Sequence, residues 1–173
     1  PNFLAVTRII GEMASEFGLL GHIKLVLITN GSLMERSEVQ KGLRHWDELG
    51  GEAWFKLDRG TSEGMDQLNQ SGIAIERVQR NLSICAGLLT TWIQTCVVTV
   101  DGAPPSENEV ECYLSLLKRQ SSTDSKLAGV LLYGLARPSL QSGTARLGPV
   151  SAPWAEHLAA RIRGLGLAVR LNL

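Results

Sequence analysis

The sequence has few cysteines and no net charge, and each shortage excludes a class of protein. Three cysteines in 173 residues do not form a disulfide framework, so we expect reduced thiols. Lysine plus arginine equals aspartate plus glutamate, at 17 each, which gives no electrostatic argument for nucleic acid or a membrane surface. No apolar run approaches the roughly 18 residues of a membrane-spanning helix. No signal-peptide pattern occurs, and a cytoplasmic location is the expectation.

Cysteine and histidine, which commonly bind metals, are also sparse. The spacing of Cys85, Cys96 and Cys112 fits no zinc or iron–sulfur motif, and no two of the three histidines have metal-ligand spacing. Cys85 falls on the apolar face of a predicted helix and Cys96 falls inside a predicted strand. We therefore expect both to be small core residues, and we predict no metal site in this chain.

What the sequence does contain is a repeated alternation of strand and helix patterns. Four apolar runs, rich in β-branched or aromatic residues, end in polar or glycine-containing residues and are separated by helical patterns. The spacing of roughly 30 to 40 residues is typical of strand–helix units with a parallel sheet. A single α/β domain is predicted over 1–173. The runs are 22–31, 52–58, 90–99 and 127–138.

The boundaries follow from periodicity and from turn residues. Ser106-x-x-Glu109 is a capping-box signature before one helix. The segment 59–71 is predicted to be a polar loop and 136–151 an irregular stretch. Helices are predicted at 3–17, at 35–49, over the repeat from Ile75 to Leu89, after Ser106 and from Ser151, and strands at 23–29, 53–58, 91–99, 128–134 and 167–173.

Polar residues follow or end these strands, and the carboxyl ends of parallel strands lie at one edge of a sheet. Such edges hold ligands in α/β folds. Lys56 and Asp58 are two residues apart on one face of a strand, where charges are costly without a partner. They are expected to meet a ligand or each other. The residues predicted at this edge are Thr29, Asn30, Lys56, Asp58, Gln94, Thr95 and Tyr133.

Several segments, taken in order, match one enzyme family. They are LITNGSL (27–33), Val39 with Gly42–Leu43, WFKLD (54–58) with Thr61 and Asn69 downstream, GVLLYGLARPS (129–139) and RIRGLGLAVR (161–170). In these segments the chain resembles the later part of the radical S-adenosylmethionine (radical SAM) enzymes, in particular the compact stand-alone ones. The resemblance implies a partial TIM-type (β/α)6 barrel with about four parallel strands, helices and a short C-terminal strand.

The resemblance also implies cofactors. Radical SAM enzymes bind a [4Fe–4S] cluster through Cys-x-x-x-Cys-x-x-Cys and SAM through a Gly-Gly-Glu segment that ends a strand, and they form a 5′-deoxyadenosyl radical. This chain lacks the cysteine motif, and its Gly50–Gly51–Glu52 precedes a strand, as a turn does. SAM and a [4Fe–4S] cluster are therefore the expected cofactors, with the cluster ligands in N-terminal strands that are missing here. Alone, the fragment is expected to be inactive.

Partners and site residues follow from the same resemblance. A reductant such as flavodoxin or ferredoxin and a substrate that the sequence does not identify are expected. Thr29 and Asn30 equally suit a turn, and Gln94 equally suits a satisfied core amide. Tyr133 and Gly134 are expected near adenine, and Arg137 near the barrel mouth or on the surface. The SAM-binding prediction covers Thr29, Asn30, Lys56, Asp58, Gln94, Tyr133 and Gly134.

Two other hypotheses remain. The first is a different α/β-barrel or flavodoxin-like enzyme with a phosphorylated ligand, although no glycine-rich phosphate loop of the required spacing is present. The second is a non-catalytic α/β interaction module. In the radical SAM hypothesis the strand at 23–29 exposes one edge, because its neighbour is missing.

Overall fold

The computed structural model describes residues 2–69, 72–121, 124–135 and 147–173. A five-stranded sheet with the order β1-β2-β3-β5-β7 forms its centre, and every neighbouring pair in it is parallel. This arrangement confirms the predicted α/β architecture. The strands in chain order are β1 (Val26–Thr29), β2 (Glu52–Lys56), β3 (Thr91–Cys96), β4 (Val98–Val100), β5 (Leu127–Tyr133), β6 (Leu147–Pro149) and β7 (Ala168–Asn172).

Helices cover one face of this sheet. Neighbouring helices contact one another in the series α1–α2–α4–α5–α6, and their apolar residues form one core with the sheet. In the part of the chain that the structure describes, no helix is long and apolar enough to span a membrane. The helices are α1 (Phe3–Glu16), α2 (Ser37–Glu48), α3 (Ser62–Asn69), α4 (Ile75–Leu88), α5 (Glu107–Gln120) and α6 (Ala152–Arg163).

Strand alternation explains why only one face is buried. In β2, Phe55 is fully buried against the helices, whereas its neighbours Trp54 and Lys56 are only partly buried. Residues in register on adjacent parallel strands point to the same side of the sheet. The side without the helix layer is called the open face here. It carries Ile28, Trp54, Lys56, Trp92, Gln94, Cys96, Leu131, Tyr133 and Arg170.

The edge of the sheet at β1 is exposed, as the resemblance implied. β1 is an edge strand of the sheet, and within the described residues it pairs with β2 alone. Ile28 on the open face is 56% exposed. Apolar residues of α1 near this edge are exposed as well: Val6, Ile9, Met13 and Phe17.

Two sequence predictions about local structure are wrong. The predicted loop 59–71 contains α3, an eight-residue helix that is too short to show a clear apolar period. The predicted strand 91–99 divides at Val97, because the chain leaves the sheet there and β4 pairs antiparallel with β6. That partner lies about 50 residues away, within the stretch predicted to be irregular, so local pattern does not reveal the pairing. Residues 136–146, including Arg137, lie outside the described part.

Candidate functional site

Lys56 and Gln94 lie side by side on the carboxyl half of the open face, the half nearest the C-terminal ends of the parallel strands. They occupy register positions opposite each other on β2 and β3, and both side chains are half-buried. Within the described residues, the Lys56 ammonium has no hydrogen bond or ion pair, and the Gln94 amide has no hydrogen-bond partner. A cation and an amide therefore stand side by side with unused donors, while the pairing of Lys56 with Asp58 allowed by the sequence is not formed here.

Asp58 lies just beyond β2 and has partners of its own. Its side chain is 5% exposed, and its Oδ1 accepts a hydrogen bond of 2.8 Å from the backbone N–H of Cys96. Its Oδ2 accepts from the Asn69 amide at 3.3 Å. A carboxylate offers about four lone-pair sites, and the described residues fill two of them. Asp58 thus joins β2 to β3 and keeps a negative charge beneath the open face.

The next residue, Arg59, is buried although it is charged. Its guanidinium donates to the carbonyl oxygens of Asp58 at 2.8 Å and of Val98 at 3.3 Å, with a longer bond to Cys96 at 3.4 Å. Burial lowers the pKa of Arg59, and the negative charges of Asp58 and Glu109 act in the opposite direction. The side chain therefore fastens the segment after β2 to the ends of β3 and β4.

Cys96 and Tyr133 face each other at the ends of β3 and β5. Burial, followed by the charge of Asp58, raises the pKa of the Cys96 thiol to about 11. Burial and the same carboxylate also raise the pKa of Tyr133. Both groups are therefore neutral near pH 7. The prediction that Cys96 is a core residue is wrong, because its place at the end of β3 leaves it only half-buried on the open face. The sequence signal for this position was strand alternation, because Cys96 comes two residues after Gln94 and therefore points to the same side of the sheet.

Thr95 belongs to the core and not to the open face. It is 3% exposed, donates to the carbonyl of Leu57 at 2.8 Å and shares a 2.7 Å hydrogen bond with the hydroxyl of Tyr113 on α5. The expectation that Thr95 lies at the ligand edge is therefore wrong. The cause is the two-residue alternation of β3, which turns Gln94 and Cys96 to one side and Thr95 to the other.

Thr29 and Asn30 lie at the end of β1 and shape the turn that follows. Thr29 is in register with Phe55, so it points to the helix-covered side, and its hydroxyl accepts from the N–H of Gly31 at 3.0 Å. The amide oxygen of Asn30 accepts from the N–H of Ser32 at 3.1 Å. These bonds are turn chemistry, the alternative that the sequence left open. Contact of either residue with SAM remains a prediction.

Gly134 follows β5 and continues its pairing. Its N–H donates to the carbonyl of Asn172 at 3.1 Å. A Cβ at this position would meet Leu173 at 3.6 Å, an ordinary contact. The described residues therefore do not themselves require glycine here, and the proximity of adenine remains a prediction.

The amino half of the open face is aromatic. Trp54 and Trp92 are in register on β2 and β3, and the guanidinium of Arg170 lies 4.3 Å from the ring centre of Trp92. Trp54 donates from its indole N–H to Glu52, which also forms an ion pair with Lys24. Arg170 therefore covers the Trp92 ring, and Glu52 links Trp54 to Lys24.

The described residues do not fit an iron–sulfur cluster. No group of three or more histidine, cysteine, aspartate or glutamate side chains among them is arranged to hold a metal. Cys85 is a fully buried residue of α4, and Cys112 lies on α5. A cluster needs several thiolates, which the three separated thiols do not provide. SAM is a better match, because its carboxylate suits Lys56 and its hydroxyl and amino groups suit Asp58, Gln94 and Tyr133.

Comparisons with known proteins agree at the level of fold. No protein-family model and no curated protein sequence matches the chain significantly. A similar solved structure is that of a domain of pyruvate-formate lyase-activating enzyme from Bacteroides vulgatus ATCC 8482, with a TM-score of 0.65 and 13% identity over 99% of this chain and 94% of that chain. At this identity the match establishes the fold alone. The α/β fold of a partial barrel that the sequence resemblance implied is confirmed.

Proposed function

We propose that this chain supplies the SAM-binding part of a radical SAM enzyme of the cytoplasm. The observation that carries the proposal is the pair Lys56 and Gln94, whose side-chain donors have no partner among the described residues, beside Asp58 and Tyr133 at the carboxyl edge of the sheet. The fold of this sheet and its helices is similar to that of a domain of pyruvate-formate lyase-activating enzyme. Ligands of open α/β folds bind at this edge. The role of each residue follows from its chemistry.

Lys56 would bind the carboxylate of SAM, because it is the ammonium on this half of the open face that lacks a protein partner among the described residues. Gln94, one strand away, would hydrogen-bond a ribose or amino group through its free amide. Asp58 retains two acceptor positions for a ligand amino or hydroxyl group. Tyr133, kept neutral by its raised pKa, would donate or accept a hydrogen bond at the far side.

SAM binding is tested directly by equilibrium dialysis with radiolabelled SAM on the native polypeptide. Saturable binding is expected, and Lys56→Met should weaken it at least tenfold, as expected for a lost charge-assisted hydrogen bond. Lys41→Met is the matched control, because Lys41 forms an exposed ion pair with Glu38 on α2, away from the sheet edge. Absence of saturable SAM binding by the wild type would overturn the proposal.

The intact enzyme would use SAM for radical chemistry on a substrate that remains to be identified. The described residues do not fit the [4Fe–4S] cluster, so the proposal assigns this chain SAM binding and no step at the cluster. A reductant such as flavodoxin or ferredoxin would serve the intact enzyme. Release of 5′-deoxyadenosine from SAM, measured with the reconstituted native polypeptide and dithionite, tests the activity.

A non-catalytic interaction module is the second candidate, and the exposed apolar residues near β1 favour it. Ile28, Ile9, Met13 and Phe17 are each more than half exposed, and exposed apolar patches mark sites of protein association. Sedimentation of the native polypeptide measures its association. A monomer that binds SAM would favour the enzyme, whereas a stable assembly that does not bind SAM would favour the module.

A further inference from the structure

The segment that follows β2 is held in place by contacts with residues outside the sheet. The ladder between β2 and β3 ends where the N–H of Leu57 donates to the carbonyl of Gln94 at 3.1 Å. Beyond that point Asp58 turns to the N–H of Cys96, and the chain passes through Gly60 and Thr61 into α3. The position of Asp58 therefore depends on contacts other than sheet pairing.

Glu109, in the first turn of α5, makes most of these contacts. Its Oε1 accepts hydrogen bonds from the N–H of Gly60 and from the N–H of Thr61 at 3.1 Å. Its Oε2 accepts from the hydroxyl of Thr61 at 2.5 Å. The same hydroxyl accepts from the N–H of Gly64 at 2.9 Å and so caps α3. One half-buried carboxylate thus binds two backbone donors and the N-cap residue of the next helix.

Glycines at 60 and 64 make this approach possible. A Cβ on Gly60 would lie 2.2 Å from the backbone nitrogen of Tyr113, and a Cβ on Gly64 would lie 2.7 Å from Oε2 of Glu109. Side chains at either position would push the segment away from α5. The close contact between this segment and α5 therefore depends on glycine at positions 60 and 64.

The sequence pattern predicted a different role for Glu109. In a capping box its carboxylate would return to the N–H of Ser106. The cap itself is present, because the Ser106 hydroxyl accepts from the N–H of Glu109 at 3.3 Å. The Glu109 carboxylate is instead directed to Gly60 and Thr61, about 48 residues earlier in the chain. Capping of α5 alone does not explain why the Glu109 carboxylate is directed to Gly60 and Thr61.

We infer that Glu109 is a positioning residue for the proposed SAM site. It fixes the segment after β2, and that segment holds Asp58 against Cys96 and under the carboxyl half of the open face. Arg59 fastens the same segment from the other side through the carbonyls of Cys96 and Val98. The inference rests on the proposed function, because the site that Glu109 positions is the one assigned to SAM.

The test uses the native polypeptide with Glu109→Gln and with Glu107→Gln as the matched control. Glu107 lies in the same first turn of α5, but it pairs with Arg161 on α6. The amide of Glu109→Gln keeps the size of the side chain and removes the charge that binds three donors. SAM dissociation constants, thermal midpoints and the amide resonances of Gly60 and Cys96 are measured for each variant.

Glu109→Gln is expected to weaken SAM binding at least tenfold and to shift the amide resonance of Cys96, whose donor bond depends on the position of Asp58. Glu107→Gln should bind like the wild type. A lowered thermal midpoint with unchanged affinity and an unchanged Cys96 resonance would show a merely structural role and overturn the inference. If Glu109→Gln does not fold, the test uses Glu109→Asp instead. Its shorter carboxylate should weaken SAM binding and shift the Cys96 amide resonance to a smaller degree.

The two proposals fail in different ways. If the wild type does not bind SAM, the proposed function is wrong, and the resonance of Cys96 in Glu109→Gln still shows whether Glu109 positions Asp58. If the wild type binds SAM and both Glu109 variants bind equally well, the positioning role alone is wrong.

Discussion

The backbone N–H of Cys96 donates a 2.8 Å hydrogen bond to Oδ1 of Asp58 and so joins the ends of two neighbouring strands beyond the point where their ladder stops. The bond explains why a carboxylate that is 95% buried is tolerated, since a charged acceptor needs donors when it leaves water. It also places the charge of Asp58 beside the Cys96 thiol and the Tyr133 hydroxyl, whose pKa values it helps to raise.

Asp58→Ala should destabilise the fold by about 1–3 kcal/mol, the usual cost of leaving a buried donor without its acceptor. Urea unfolding measures the change. Asp124→Ala is the control, because Asp124 is exposed and should change the free energy of unfolding by less than about 0.5 kcal/mol. Equal stability of the two variants would contradict the structural role given to Asp58.

Gly60→Ala should destabilise the fold by about 1–3 kcal/mol, since the new methyl group overlaps the backbone of Tyr113. Gly87→Ala is the matched control in α4, where a Cβ meets nothing within 4 Å. Alanine is the better helix former, so that variant should gain about 0.5–1 kcal/mol. Thermal unfolding of both proteins measures the difference, and a stable Gly60→Ala would show that the loop does not approach α5 closely.

Tyr113→Phe should lose about 0.5–1.5 kcal/mol, the usual value of a buried hydrogen bond. The lost bond is the 2.7 Å contact with Thr95, which in turn donates to Leu57. A double-mutant cycle with Thr95→Val, measured by urea unfolding, should show coupling between the two positions. Strictly additive effects would mean that the hydroxyl groups do not interact.

Thiol reagents should distinguish the cysteines in the folded chain. Cys96 is half-buried on the open face, whereas Cys85 is fully buried, so Cys96 should react and Cys85 should not. The rate at Cys96 should increase with pH toward about 11, because the thiolate is the reactive form. Peptide mass spectrometry after timed alkylation measures this. Modification of Cys85 as fast as Cys96 would contradict the burial of Cys85 between α4 and β3.

Stability should decrease at alkaline pH. Burial raises the pKa of Cys85 from 9.0 to about 11, so the folded state keeps the proton that the unfolded chain loses first. The stabilisation is complete below pH 9 and is lost as the pH rises through about 11. The raised pKa values of Cys96, Tyr113 and Tyr133 act in the same direction. Urea midpoints between pH 7.5 and 10.5 measure the slope, which should be smaller for Cys85→Val. A flat profile would contradict the burial of these groups.

Local patterns predicted the parallel α/β order, because strand periodicity and chain order are properties of short segments. They also identified the cap at Ser106. They did not identify α3, whose eight residues carry too little apolar repeat, or the short β4–β6 pair, whose partners are distant in the chain. The site was predicted in part, since the direction of Thr95 and the half-exposure of Cys96 depend on the register of the folded sheet.

The sequence by itself determined the five strands of the parallel sheet and the helices α1, α2, α4, α5 and α6, because these depend on side-chain alternation and turn residues within a few positions. Only the tertiary structure decided which polar residues remain free. In the part of the chain that the structure describes, Lys56 and Gln94 keep unused donors, whereas the Asp58 carboxylate accepts hydrogen bonds from Cys96 and Asn69. The Glu109 carboxylate accepts from Gly60 and Thr61 instead of from its own helix. Hydrogen bonds between segments about 40 to 50 residues apart form only when the fold brings donor and acceptor together.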